Sequence, residues 1–312
     1  MDLDRRSLLK NGLAAGIGAA LPGSLLARDA TARARDGEIF SLDYAPHFGM
    51  FRRVAGDDLV AQLEWAHAQG FRAWEDNQMA GRPVAEQERI AAAMARLGMR
   101  MGVFVANFGT AFAEQSFSSG KEGARASFLA DLRKAVEVAE RVHAKWMTIV
   151  LGTEDPRLAP GFQDAHAIDM LRRGAEVCEP HGLVMVMEPL NRRDHPRLLV
   201  QRCDHAYALC KAVGSPSVKI LFDIYHQSVT EGNLIPNIDA CWDEIGYFQI
   251  GDNPGRNEPG TGGVHYGNVF SHIRRKGFEG VLGMEHGNSR GGEEGDLAVL
   301  EAYRAADAVT AG

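Results

Sequence analysis

Cysteine is scarce in this chain: Cys178, Cys203, Cys210 and Cys241 are the four in 312 residues, and no CxxC spacing occurs among them. That argues against a structural zinc site. Cys203 and Cys210 lie seven apart in a helical pattern, roughly 10 Å along a helix axis and too far for a disulfide. Buried free thiols are the expectation. A basic surplus is missing as well. Lys and Arg number 34 against 41 Asp and Glu, for a formal net charge of -7, so no excess cations stand ready for a phosphate backbone and no nucleic-acid partner is expected. Nor does any apolar run approach the ~20 residues of a membrane span. The nearest, residues 12–26, is short and rich in Gly and Ala, so no stable membrane association is expected. Finally, no glycine-rich turn follows the first strand-like segment, which counts against a doubly wound, dinucleotide-binding sheet.

What the chain does contain is ample material for a core. With 45% hydrophobic and 24% charged residues, one large domain can fold without disulfide staples. The N-terminus reads separately. Asp4-Arg5-Arg6-Ser7-Leu8-Leu9-Lys10 precedes the mild apolar run, and Ala30-Thr31-Ala32-Arg33-Ala34 follows it. Paired arginines, a weakly hydrophobic middle and an Ala-x-Ala end have the form of a twin-arginine signal peptide over residues 1–34. The competing reading is an amphipathic helix with two incidental arginines. The expectation is therefore a soluble periplasmic protein, exported folded by the twin-arginine route, which would suit loading a metal beforehand. The leader carries +2, so the remaining chain holds about -9.

Beyond the leader, strand-like and helix-like stretches alternate to the end. Strands are expected over residues 40–47, 72–77, 101–107, 146–152, 183–190, 218–226, 245–252 and 281–286. Helical periodicity fills the intervals, as in 57–69, 86–97, 127–143, 164–181 and 204–213. Gly70, Gly98, Gly182 and Gly277 fall where left-handed helix caps belong. Eight such repeats predict an α/β fold, a (β/α)8 or TIM barrel, as a single domain over residues 38–312 after the export signal.

The last four strands each end in a side chain with an oxygen donor: Glu188, Asp223, Gln249 and Glu285. Alone, an acidic residue at a strand end is usually a helix cap or a loop anchor. In a barrel, however, carboxyl ends of strands face one shared mouth, so four at matched places should converge. Two glutamates, an aspartate and an amide oxygen form a hard ligand set that suits Mg²⁺ or Mn²⁺.

The flanks sharpen this. Glu188-Pro189-Leu190-Asn191-Arg192-Arg193-Asp194, Asp223-Ile224-Tyr225-His226 and the segment from Gln249 through Arg256 to Gly262 resemble hydroxypyruvate isomerase and its relatives among the xylose-isomerase-like barrels, which include ketose 3-epimerases. The resemblance is specific over residues 183–290 and looser over 38–182. It implies that Glu188, Asp223, Gln249 and Glu285 are metal ligands and that Glu188 and Glu285 are also the catalytic pair. It further implies that His226 and Arg256 hold substrate oxygens, with Asp194 where relatives often place a glutamate near the substrate terminus. The partner would be a small sugar or hydroxy-keto acid. Relatives are often dimers or tetramers, so a homo-oligomer stays open.

The chemistry follows from an α-hydroxy carbonyl, whose weakly acidic α-proton is removed more easily when a cation stabilises the resulting enediolate. One glutamate would take the proton and its partner, or the same residue, would return it. A ligating carboxylate is a poor base because the cation depresses its pKa, so a non-coordinating oxygen is required. His47 and Glu75, at the ends of the first two strands, either line the mouth or make loop contacts. Trp74, Phe108 and Phe112 form an apolar wall for a sugar or simply pack the core. His265, His272 and His286 read as surface or supporting residues, with His286 pointing away from the mouth.

The leading reading is thus an isomerase or epimerase of a small hydroxy-carbonyl compound or unphosphorylated sugar. A lyase that eliminates the aglycone from a 3-keto-glycoside would use the same parts, and a periplasmic address favours it. A non-catalytic sugar-binding barrel would be expected to lose a catalytic glutamate, yet both are present. A zinc-dependent DNA repair nuclease would need more histidines at strand ends and less negative charge.

Overall fold

The computed structural model describes residues 37–309, so the expected signal peptide, residues 1–34, lies outside the described residues. All eight expected strands form, each shorter than its apolar run: β1 (Asp43–Ala45), β2 (Ala73–Trp74), β3 (Arg100–Met101), β4 (Trp146–Ile149), β5 (Val184–Met187), β6 (Val218–Asp223), β7 (Ile245–Gln249) and β8 (Val281–Gly283). Between them run α1 (Arg52–Ala55), α2 (Leu59–Ala68), α3 (Val84–Leu97), α4 (Glu122–Val142), α5 (Pro160–Cys178), α6 (Cys203–Val213), α7 (Ile224–Thr230), α8 (Leu234–Cys241) and α9 (Tyr266–Arg275), with α10 (Gly292–Ala308) last.

Local chemistry sets the boundaries. The sixth strand stops at 223 rather than 226 because Asp223 Oδ1 accepts from the N–H groups of Tyr225 and His226, at 2.7 and 3.2 Å, and caps α7. Gly98 ends α3 in the left-handed region, φ 65°, and bonds its N–H to the carbonyls of Ala95 and Met94. A residue with a Cβ is strained there, so the chain leaves the helix cleanly and enters β3.

Every strand pairing is parallel. Six strands make a curled sheet in the order β1-β8-β7-β6-β5-β4, while β2 and β3 pair only with each other. Single bridges, His47 to Glu75 and Val105 to Thr148, join the two ribbons and close the barrel. Alternation along the strands separates two apolar clusters. Ala45, Ala73, Val103, Trp146, Val186, Leu221, Tyr247 and Val281, one from or beside each strand, form the inner one, as the interior layer of such a barrel requires. Small Ala45 and Ala73 leave room for the rings of Trp146 and Tyr247, whose centroids lie 5.9 Å apart. The intervening residues, such as Met185, Ile220 and Phe222, face the helices in the larger outer cluster. Each side chain so buried contributes about 1.5–3 kcal/mol. The four cysteines are free and buried, with Cys203 and Cys210 both on α6.

Candidate active site

Strand register delivers the four expected ligands to one end of the barrel. Asp223 pairs across from Gln249, and Gln249 across from Gly283, two residues before Glu285. Glu188 follows β5 directly, its N–H bonded to the Ile149 carbonyl at 3.1 Å. A cavity of about 210 Å³ opens there, with Asn77, Thr148, Glu188, His195, His226, Arg256 and Glu285 on its polar side. Val105, Phe108, Phe112, Val150 and Leu190 line the rest. A larger, open depression of about 520 Å³ at the opposite face is bordered by Arg100, Lys145, Lys219 and Lys276. There, Arg100, Lys219 and Lys276 are already neutralised by Asp43, Glu244 and Asp239.

Glu188, Asp223 and His226 are all buried and can present ligand atoms within 4.8 Å of one another. Asp223 serves as a helix cap through Oδ1, while its Oδ2 lies 3.5 Å from His226 Nε2 and 3.4 Å from Arg256 Nη2. Glu188 Oε1 is 3.7 Å from His226 Nε2. Five side-chain atoms here are buried without a hydrogen-bond partner: Asn77 Oδ1, Thr148 Oγ1, Glu188 Oε1, His226 Nε2 and Gln249 Oε1. Buried polar atoms without a protein partner call for a water, an ion or a ligand beside them, and here they cluster. The two unpaired hard oxygens of Glu188 and Gln249 beside the Asp223 carboxylate fit a divalent cation.

His226 is held by Asn191. The backbone N–H of Asn191 donates to Nδ1 at 3.2 Å and its side-chain nitrogen lies 2.7 Å from the same atom. Burial lowers the His226 pKa to about 4, so the ring is neutral at physiological pH. Its hydrogen sits on Nε2, an arrangement suited to donating to an oxygen rather than to ligating a metal.

Glu285 takes a different set of partners. Its Oε1 accepts from Asn77 Nδ2 at 2.8 Å and its Oε2 from Arg256 Nη2 at 2.6 Å. Burial raises its pKa to about 7, against the opposing pull of Arg256. Burial, followed by the negative charge of Glu285 and Asp223, pushes Glu188 well above the usual carboxylate range. These shifts belong to the metal-free site, and a cation bound to either carboxylate would lower its pKa again.

Arg256 lines the cavity and stacks over Tyr225, 5.0 Å from the ring centroid. It sits in a loop organised by Asp252, whose fully buried carboxylate accepts from the N–H groups of Asn253, Gly260, Gly262 and Val264 at 2.8, 2.9, 2.8 and 3.0 Å. Asp194 is not among the cavity-lining residues. It lies exposed at the rim, where Asn191 Nδ2 and Tyr225 Oη donate to it at 2.9 and 2.8 Å. Its neighbour His195 lines the cavity instead, stacked on Phe112 and edge-on to His226.

Of the secondary candidates, Phe108 and Phe112 line the cavity and remain half exposed, whereas Trp74 is fully buried against Phe48 and belongs to the core. His47 makes loop contacts to the carbonyls of Phe48 and His286. His265 caps α9 and His272 pairs with Asp239. His286 is not a surface residue. It is buried against Tyr303, directed away from the mouth as strand alternation predicts. Nothing in the sequence singles out the roles of Asn191 and His195, since a single Asn or His in a loop carries no periodic signal. Glu75 neither lines the mouth nor makes a loop contact through its side chain: it lies inside the barrel, where Gln249 Nε2 and Tyr247 Oη donate to it at 2.8 and 2.9 Å.

Comparison with known proteins agrees with this architecture. The family described as xylose isomerase-like TIM barrel matches residues 63–306. A 2-oxo-tetronate isomerase from Cupriavidus necator is 28% identical over 243 residues, covering 76% of this chain and 90% of that protein. A hydroxypyruvate isomerase from Escherichia coli is 29% identical over 182 residues, 58% of this chain and 70% of its own length. Among solved structures, a 3-keto-D-glucoside 4-epimerase from Escherichia coli superposes with a TM-score of 0.70 at 18% identity, covering 86% of this chain and 99% of the epimerase.

Proposed function

The chain belongs to the xylose isomerase-like TIM barrel family, and on that premise we propose that it is a metal-dependent isomerase or epimerase of a small hydroxy-carbonyl compound or unphosphorylated sugar. The observation that carries this reading is the set of buried, unpartnered atoms of Glu188, His226 and Gln249, grouped with Asp223 and Glu285 at one end of the barrel, in a chain similar to proteins named isomerases. The cavity, at about 210 Å³, is below the roughly 300–1,000 Å³ of drug-sized pockets and suits a small substrate.

In this reading Glu188, Asp223, Gln249 and Glu285 hold the cation, Mg²⁺ or Mn²⁺. When bound, it supplies Lewis acidity toward a substrate carbonyl. Glu188 and Glu285 carry the proton from and to the substrate carbon, using an oxygen that faces the cavity. His226 donates its Nε2 hydrogen to the substrate oxygen on which negative charge develops, already oriented by Asn191. Arg256 offers a guanidinium to a substrate hydroxyl or carboxylate while balancing Glu285 and Asp223. Asp194, through Tyr225 and Asn191, braces the rim. The leader over residues 1–34 supports a periplasmic site of action.

A second reading rests on the half-exposed rings of Phe108 and Phe112 at the cavity wall. An apolar aglycone could lie on them, and the same base would then drive elimination from a 3-keto-glycoside. Proton exchange separates the two. Protein with Mn²⁺ or Mg²⁺ in D₂O is presented with hydroxypyruvate, free ketoses and 3-keto-glycosides and followed by NMR. Metal-dependent deuterium uptake with isomer formation supports the isomerase, release of an aglycone moves the protein to the lyases, and no exchange on any substrate refutes both.

A further inference from the structure

A carboxylate inside a barrel core is expensive, and an apolar residue would fill the same space at lower cost. Glu75 is 2% exposed and does not line the cavity, so it touches no substrate. It is seated on the backbone of Gly283, where any Cβ would collide with its Oε2. Each of its oxygens has one donor. Tyr247 Oη gives its hydrogen to Oε2 at 2.9 Å while facing the Val103 N–H at 3.4 Å. Gln249 Nε2 donates to Oε1 at 2.8 Å.

The second bond has a directional consequence. A primary amide has one donating and one accepting end, and the two differ by a half-turn about the last side-chain bond. An acceptor at Glu75 fixes the nitrogen of Gln249 inward, which forces Oε1 outward. That is the orientation in which Oε1 is buried and unpartnered. We propose that Glu75 is a positioning residue that sets the polarity of the Gln249 amide, so that oxygen rather than nitrogen is presented to a divalent cation. This rests on the reading of Gln249 as a ligand given above.

The proposal is tested by reversing the polarity. In Glu75→Gln the carboxamide can still accept from Tyr247 through its oxygen, but its nitrogen then faces Gln249. The Gln249 amide must turn over to accept that bond, leaving its own nitrogen toward the site. The double variant Glu75→Gln with Gln249→Glu restores a matched pair, with a donor inside and a carboxylate outside, at unchanged total charge. Mn²⁺ binding to chelator-treated protein is measured by electron paramagnetic resonance of the free ion, together with circular dichroism and melting for fold. The expected loss in Glu75→Gln is about 10- to 100-fold in affinity, the range found when a group supporting a metal ligand is removed. Binding should return to within about threefold of the parent, or tighter, in the double variant.

Parent-like affinity in Glu75→Gln, alongside weakened binding in Gln249→Leu, overturns the proposal and leaves the metal reading intact. Unchanged binding in Gln249→Leu, or none in the parent, overturns the metal reading and the proposal with it. Should Glu75→Gln prove too unstable to isolate, the double variant decides. Parent-like binding supports the proposal and weak binding rejects it.

Discussion

Asn191 determines which nitrogen of His226 carries the hydrogen: its backbone N–H and its side-chain amide both approach Nδ1, at 3.2 and 2.7 Å. The side-chain assignment is fixed independently, because Asn191 Oδ1 accepts from the N–H groups of Arg193 and Asp194, both at 3.0 Å. Replacing Asn191 with Asp turns one donor into an acceptor and favours a hydrogen on Nδ1. The expected result is a fall in kcat of about tenfold, the value of one hydrogen bond near 1.4 kcal/mol, with KM little changed. Imidazole ¹⁵N shifts should report the change of tautomer. Identical shifts in the two proteins would remove Asn191 from this role.

Glu188→Gln and Glu285→Gln keep size and lose the exchangeable charge. Each is expected to lower kcat/KM by about 10²- to 10⁴-fold, the usual contribution of a general acid or base, with the fold retained by circular dichroism. Full deuterium exchange in either variant, with metal content intact, would rule out the paired glutamates.

The same carboxyls make stability depend on pH. Glu285 has an ordinary value of 4.5 and is raised to about 7 in the folded protein. Between those values the folded state holds a proton that the unfolded chain has released, so stability in chelator is greatest below pH 4.5 and falls as pH rises through 7. Glu188, raised by burial and by its acidic neighbours, acts in the same direction. Glu285→Gln should flatten the slope of melting temperature across this window. A divalent cation added at pH 7.5 should restore stability, by about 2.7 kcal/mol at a hundredfold excess over Kd. A parent slope unchanged by Glu285→Gln would argue against the assignment.

Asp252→Asn replaces a buried acceptor of four N–H bonds with a group that must turn a donor toward some of them. A loss of about 2 kcal/mol is expected for charge-assisted bonds of this kind, readable as a drop of roughly 3–4 °C in Tm at this chain size. Because the loop carries Arg256, KM should rise as well. A stability loss with unchanged KM would uncouple the loop from substrate binding.

Much of this molecule is legible in its sequence. Continuous apolar runs ending in Glu188, Asp223, Gln249 and Glu285 locate four strand ends, because strands of a parallel sheet are buried on both faces and their carboxyl ends share one mouth. Gly98 and Gly182 announce their helix ends for an equally local reason. Asn191 and His195 escape, since their roles depend on which ring lies across the barrel. Glu75 escapes because nothing in the chain says that a carboxylate at the end of β2 will turn into the core and meet Gln249, 174 residues away. Arg256 was legible as a site residue but not as the ion-pair partner of Glu285 and Asp223. That requires the left-handed backbone it adopts, φ 51°.

The barrel is seamed. Glu188, Asp223, Gln249 and Glu285 all hang from the six-stranded ribbon, while Asn77, Phe108 and Phe112 follow the two-stranded one, and only single bridges stitch the ribbons together. With Glu75 and Asn77 kept, selection for a new substrate can therefore rewrite the segments from Gln78 onward after β2 and beyond β3 without unpicking the strands that carry the acids. Libraries confined to those two segments should yield altered specificity at little cost in foldedness, whereas equal diversity after β5 to β8 should yield mostly inert proteins.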